Sequence, residues 1–357
     1  MANKSYILAS LLFLAVACTT FSCKNGKSAA TDQEVKFVRV DSLQRVDIYI
    51  GNLLFTSYWY ADTLTKPFLY PVNTASGTTV TRGYPIFPRL GERVDHPHHI
   101  GIWFNYGDVN GIDFWNNSFA IPADKKSNYG VVQHKSIDTM YFDGNEGLLE
   151  VSARWHRLDG TNLLNEKVIY HFSGNDSTRT ITRISTLTAA DTTVILGDNK
   201  EGLWAIRVDK CLEMPSNEPQ IFTDADGNPT TVPAVNNDCK TGMYFGSSGL
   251  KGDSVWGTRN KWVMLKGEKD QEKVSLIILD NPANPGSPAH FHARGYGLFS
   301  INNLGQQVFN PAEPKQTFSL QPGQSLQFKH RMIIVSGVEI SSAEANKMYD
   351  EFSATVR

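Results

Sequence analysis

The chain has 357 residues, room for one large β domain or two ordinary ones. Hydrophobic residues make up 41% and charged residues 20%, a balance that excludes general disorder. The formal net charge of −2, with no basic run, excludes an electrostatic footprint for nucleic acid or an anionic membrane surface.

At the N-terminus Lys4 precedes the apolar run Tyr6 to Ala17, and small residues and cysteines follow. That is the order of a bacterial export signal, and the run is too short for a stable transmembrane helix. "LAVAC" ends at Cys18 and "TFSC" at Cys23, and both resemble the lipobox of bacterial lipoproteins, whose cysteine is lipidated. Residues 1–23 are therefore expected to be a signal, 24–34 a polar tether and 35–357 a single domain, with a plain cleaved signal as the alternative. The expected location is periplasmic or outer-membrane, with membrane contact only through a lipid on Cys18 or Cys23. Cys211 and Cys239 are then the remaining cysteines, and in an oxidising compartment they either pair or stay free thiols.

Beyond Glu34 the chain consists of short apolar or alternating runs separated by Gly, Asn, Asp and Pro. In "LLEVSARWHRL", Leu149, Val151, Ala153 and Trp155 fall on one strand face and Glu150, Ser152, Arg154 and His156 on the other. Many such strands predict an all-β fold, a large antiparallel β-sandwich. One helix is predicted, at the C-terminus, where Ser341 and Glu344 have capping-box spacing. The Pro-rich run "DNPANPGSPAH" at 280–290 reads as a rigid loop that shapes a site.

The stretch "DHPHHIGIWFNYGDVNGIDFWN", Asp95 to Asn116, concentrates chemistry. In an extended segment His96 and His98 point to one face and Pro97 and His99 to the other, although Pro97 also allows a loop. His290 and His292 repeat the H-x-H spacing. Either pair alone suits hydrogen-bonded rim histidines; the two together point to a divalent metal or a polar catalytic cluster. The expectation is one divalent metal on His96, His98 and His292, with no nucleotide cofactor, because the sequence has no phosphate loop or dinucleotide fingerprint. GxSxG and HExxH are absent as well.

Trp103, Trp115, Trp204 and Trp256 lie beside glycine or charged residues, where indole faces can stack on sugar rings while Asp108 and neighbouring polar groups read hydroxyls. Core packing is the competing assignment for these rings. Glu201 precedes Gly202 and a strand, which puts a general acid or base at a strand mouth, and Arg207 could orient an acid or a substrate oxygen. Arg259 and Arg294 are candidate clamps for anions or sugar oxygens.

Four segments, "KPFLYPVNTASGTTVTRGYP", "DHPHHIGIWFNYGDVNGIDFW", "EGLWAIRV" and "HARGYGLFSIN", resemble in this order the DUF6807 family of bacterial proteins, often labelled PmoA or methane oxygenase. The resemblance runs over roughly residues 45 to 335 and is most specific at HPHH-G-x-W. It implies a β-sandwich of the sugar-mutarotase supersandwich shape, carbohydrate handling, and functional roles for His96, His98, His99, Glu201, His292 and Arg294. A methane monooxygenase subunit needs several transmembrane helices, and no apolar run after the signal has that length.

These observations lead to a carbohydrate-active enzyme that cleaves or epimerises a glycoside, including an oxidised one. His96, His98, Glu201 and His292 are assigned to catalysis, and His99, Trp103, Asp108, Trp115, Trp256, Arg259 and Arg294 to substrate binding. The alternative is a non-catalytic glycan-binding surface lipoprotein.

Overall fold

The computed structural model describes residues 32–355. The expected signal at 1–23, with Cys18 and Cys23, and most of the 24–34 tether lie outside the described residues. Two eight-stranded antiparallel sheets face each other. The first sheet runs, in spatial order, Val35–Val40, Arg45–Ile50, Leu53–Trp59, Phe68–Val72, Ile102–Phe104, Trp204–Arg207, Leu298–Asn302 and His290–Arg294. The second runs Met243–Gly246, Trp262–Lys269, Glu272–Asp280, Ser325–Ser336, Thr178–Ala189, Asn162–Gly174, Glu146–Arg157 and Gly130–Phe142. The all-β sandwich is therefore as the sequence predicts.

The main core lies between the sheets. Leu149, Val151, Ala153 and Trp155 are buried in it, whereas Glu150, Ser152, Arg154 and His156 are only half-buried. Phe55, Leu69, Phe104, Ile206, Phe291 and Phe299 enter from the first sheet, so this core removes the alternate residues of those strands from water. A second cluster covers the other face of the second sheet, where Trp262, Ile277 and Ile333 meet Ala345, Tyr349 and Phe352 of the helix Ser342–Ala354. That helix starts at the predicted capping box: Ser341 Oγ accepts from Glu344 N, and Glu344 Oε2 accepts from Ser341 N.

A third cluster sets the location of the site. Phe68, Tyr70, Trp103, Ala205 and Leu298 project from the first sheet on the side opposite the main core, as period-two alternation requires. The pairing register puts Phe68, Trp103, Ala205, Ser300 and His292 in one row across five strands. Arg207, Leu298 and Arg294 form the adjacent row. Trp103 and His292 are thus three strand spacings apart, about 14 Å, with small Ala205 and Ser300 between them. That outer face is roofed by the loops at 82–101, 105–117, 198–203 and 208–242.

Cys211 and Cys239 form a disulfide that closes the last of these loops. The Pro-rich 280–290 segment is braced: buried Asp280 accepts from Asn284 Nδ2 and Ala289 N, and Arg259 holds Gly286 O and Pro288 O. It delivers the chain into the strand His290–Arg294.

Candidate functional site

His96 and His98 do not lie on a strand, so the expected common face does not exist. The segment 95–100 is a loop, and His96 adopts φ +43°, a left-handed conformation uncommon for a residue with a Cβ. Arg82 imposes this shape. Its guanidinium is 1% exposed and donates to the carbonyls of Arg93, Asp95, His96 and His99 and to Asp95 Oδ1. The loop then meets the sheet at Gly101, where a Cβ would stand 2.1 Å from Leu69 O.

Arg82 folds the three histidines onto one another. His96 and His99 stack at 4.8 Å, and His99 stacks on Trp103 at 5.1 Å. Tyr296 adds a further parallel ring 5.0 Å from His96. His98 meets His96 and His99 edge-on. His99 therefore belongs to the group as closely as His96 does, contrary to the strand geometry that turned it away.

Arg207 fixes the polar edge of this stack. Its guanidinium is fully buried, donates to Asp95 Oδ1 at 2.8 Å and to His99 Nδ1 at 3.2 Å, and lies over the Tyr296 ring. Arginine can only donate, so His99 Nδ1 is the lone-pair nitrogen and Nε2 carries the proton. Asp95 Oδ2 lies 3.2 Å from His96 Nδ1, a contact in which the ring nitrogen donates to the carboxylate. The His96 side chain is 41% exposed, against 1% for His99, so His96 is the imidazole a ligand meets. Burial would raise the Asp95 carboxyl, but Arg207, the His96 hydrogen bond and Arg82 outweigh it and hold Asp95 well below its ordinary value.

His292 and Glu201 stand beyond this stack. His292 Nδ1 donates to Lys200 O at 3.2 Å, which leaves Nε2 as its lone-pair nitrogen. Burial, with Arg294 and Lys200 adding to it, pushes His292 down to about 3. Glu201 Oε2 lies 3.9 Å from His292 Nδ1, and its carboxyl is raised by burial against the opposing charge of Lys200. Tyr296 and Trp256 connect the two groups, Tyr296 stacking on His96 and Trp256 meeting His292, with the Arg294 guanidinium between them. Burial also holds His98 and His99 well below the ordinary imidazole value, with Lys66 adding to the effect at His98.

Lys66, Asp95, Asp113 and Tyr296 join the site without having been expected there. Lys66 is 1% exposed, donates to Trp115 O at 3.4 Å and lies over the Trp103 ring. Burial pushes its amine down to about 7, opposed by Asp113. Its one sequence signal is a lysine placed directly before Pro67 and the apolar run 68–70. Arg207, expected to orient an acid or a substrate oxygen, contacts the acid Asp95 and also His99.

Other expected site residues fall elsewhere. Trp103 and Trp115 are buried to 1% and 0% exposure beneath the histidines, so no sugar reaches their faces as expected. Their role is to support the stack from below. Trp204 is a core ring against His330. Asp108 accepts from Gly111 N and closes a turn with no contact to the histidines among the described residues. Arg259 is occupied with the 286–288 carbonyls, Gln306 and Glu313, and is not a ligand clamp. His290 shares the His292 face but stacks on Phe309. Trp256 and Arg294 do join the site: Trp256 meets His292 edge-on, and the Arg294 guanidinium lies between Trp256 and Tyr296. Among the described residues no group of three or more His, Cys, Asp or Glu side chains is placed to hold a metal ion.

Among curated proteins none matches the chain in sequence. Solved structures with a related outline include the galactosidase domain of the α-galactosidase–sucrose kinase AgaSK, at 12% identity and TM-score 0.38, covering 85% of this chain and 42% of that one. Galactose 1-epimerase from Lactobacillus acidophilus NCFM is similar at 11% identity and TM-score 0.31, covering 87% and 100%. A glycoside hydrolase family 97 enzyme from Pseudoalteromonas sp. strain K8 is similar at 10% identity and TM-score 0.32, covering 78% and 34%. The chain thus spans less than half the length of the first and third. No helix among the described residues is long and apolar enough to cross a membrane. Over residues 45–350 the chain matches a family model, and it belongs to that family, DUF6807, a family of unknown function.

Proposed function

We propose that the protein is a carbohydrate-active enzyme that moves protons at a sugar ring, cleaving a glycosidic bond or epimerising a carbon next to a carbonyl. The observation that carries this reading is the Asp95–His96 pair, 3.2 Å apart, with a half-exposed imidazole above a buried, charge-fixed platform. An ionised aspartate that holds the proton on Nδ1 leaves Nε2 as a base facing the cleft. Glu201, raised by burial, is the complementary acid. Lys200, 3.7 Å from Glu201, and Arg294, beside Trp256 and Tyr296, are the cations that would stabilise oxygen charge developing here. Tyr296 and Trp256 supply the ring faces that apolar sugar surfaces need.

Each proton transfer in this reading uses the chain's own side chains. The Cys211–Cys239 bond supports an exported protein, since disulfides persist in oxidising compartments. Lipidation at Cys18 or Cys23 would make the membrane contact an anchor alone.

The test incubates the purified full chain in D2O with unmodified and 3-keto glycosides and follows release and deuterium incorporation by NMR. Turnover or exchange should fall at least about a hundredfold in His96→Asn and Glu201→Gln. Binding without turnover or exchange in the wild type would instead make the protein a non-catalytic glycan binder.

A further inference from the structure

Next to the candidate catalytic group the structure contains a cavity of ≈ 380 Å³, lined by Met214, Ser216, Asp253, Trp256, Arg294 and Tyr296 among others. This volume is at the small end of the range for ligand pockets, and suits a single ring better than a polymer segment. Tyr296 belongs to both places, because it lines the cavity and stacks on His96 at 5.0 Å. Trp256 does the same on the other side, lining the cavity and meeting His292 at 6.2 Å.

We infer that this cavity is a second subsite that holds a neutral pyranose ring, so the substrate is a glycoside of at least two rings rather than a free monosaccharide. The inference rests on the proposed carbohydrate function and extends it to the size and charge of the substrate. Its walls have the parts needed to read a sugar. Trp256 and Tyr296 are ring faces, and the Arg294 guanidinium is braced between them at 5.4 and 5.9 Å. No acidic side chain pairs with Arg294 among the described residues, so its N–H groups are free to donate to hydroxyls.

Charge decides between kinds of ring. Arg294 would attract a uronate, but Asp253 and Glu218 line the same cavity, and neither has an ion-pair partner among the described residues. An anionic ring would face both carboxylates and a cationic ring would face Arg294. A neutral ring uses both signs, donating its hydroxyls to Asp253 and accepting from Arg294. The loop that brings Met214, Ser216 and Glu218 to this wall is the one closed by Cys211–Cys239. Its Glu213 is anchored by Arg93 and Lys240, each at 3.0 Å.

The test measures affinity of the full-length protein, by calorimetry or saturation-transfer NMR, for glucose, galactose, xylose, glucuronate, glucosamine, cellobiose, lactose, maltose and xylobiose. At least one neutral disaccharide should bind about tenfold or more tighter than its constituent monosaccharides. Asp253→Asn and Glu218→Gln, both in the cavity wall and away from the histidines, should abolish that gain while the monosaccharide affinity changes less than twofold. Unchanged apo melting temperatures would show that the variants fold. The subsite is refuted if a monosaccharide binds as tightly as every disaccharide, if glucuronate or glucosamine binds best, or if the gain survives both variants. Failure of every sugar to bind would overturn the carbohydrate function along with it.

Discussion

Lys66 makes the most quantitative prediction. It is an amine with 1% exposure, one 3.4 Å hydrogen bond and a tryptophan face, and no carboxylate within ion-pair distance among the described residues. A fall from 10.5 to about 7 corresponds, at ~1.36 kcal/mol per pH unit, to about 5 kcal/mol between its neutral and charged forms. The unfolded chain keeps its proton up to pH 10.5, whereas the folded protein releases it above about 7. Between those values the unfolded state binds more protons, so stability rises with pH, and below about 7 the full cost of the buried charge is present. Lys66→Met keeps the length and apolar stem and removes the charge. Urea unfolding of both proteins at pH 7 and pH 9 isolates this group, because titrations not coupled to Lys66 cancel in the difference, and its coupled neighbours His98 and Asp113 are held outside this interval. The wild type should gain about 2 to 3 kcal/mol over the variant across that interval. Parallel pH dependences for the two proteins would refute a depressed Lys66 amine and the burial that causes it.

Three further outcomes follow from the buried framework. Arg82→Met removes the donor that holds four carbonyls and one of the two arginines on Asp95, and should cost about 3 to 5 kcal/mol in urea unfolding, since it leaves several buried acceptors unpaired. The Cys211→Ala, Cys239→Ala double variant frees a 28-residue separation and should lose about 3 to 4 kcal/mol by chain entropy, measured the same way with the disulfide intact in the reference. Elemental analysis of the purified protein should find less than one equivalent of any divalent metal, and chelation should leave the melting temperature unchanged; one tightly held equivalent would overturn the donor geometry given for the histidines.

The sandwich was legible because strand alternation is a local property. Leu149, Val151, Ala153 and Trp155 needed only their own spacing to be placed in the core. The same rule also fits His292 and Arg294, which share the outer face of one strand. The HPHH segment shows where local spacing stops being enough. Its conformation comes from Arg82, thirteen residues upstream of Asp95, and from Arg207, which arrives from another strand. Neither residue carries a local mark that distinguishes it from a surface arginine. The tryptophans were ambiguous for a related reason. Trp103 does project outward from its strand, but the HPHH loop then covers it, and a covering loop changes exposure without changing alternation. Lys66 was missed because a lysine next to a proline ordinarily reads as a turn, and only tertiary packing under Trp115 buries it.

Burial, reinforced by the charges beneath the histidine stack, keeps His98 and His99 neutral, and those charges also bear on what the site favours. Arg82, Arg93, Arg207 and Lys240 are all buried around just two carboxylates, Asp95 and Glu213. Burial chiefly, with Arg82 and Arg207 adding to it, disfavours imidazolium at His98 and His99, and the positive field of these arginines would stabilise negative charge developing on a ligand oxygen. Arg207 joins the two effects, because its fork holds both Asp95 and His99. Arg207→Lys keeps the positive charge but cannot make both contacts, since a compact ammonium lacks the planar fork. If orientation of the Asp95–His96 pair is what matters, kcat should fall about tenfold or more, with KM nearly unchanged and the pH profile altered. If the charge alone matters, the lysine variant should retain wild-type turnover while Arg207→Gln loses it. An equal loss in KM and kcat for both variants, with lowered melting temperatures, would reduce Arg207 to a structural residue and remove the positioning argument.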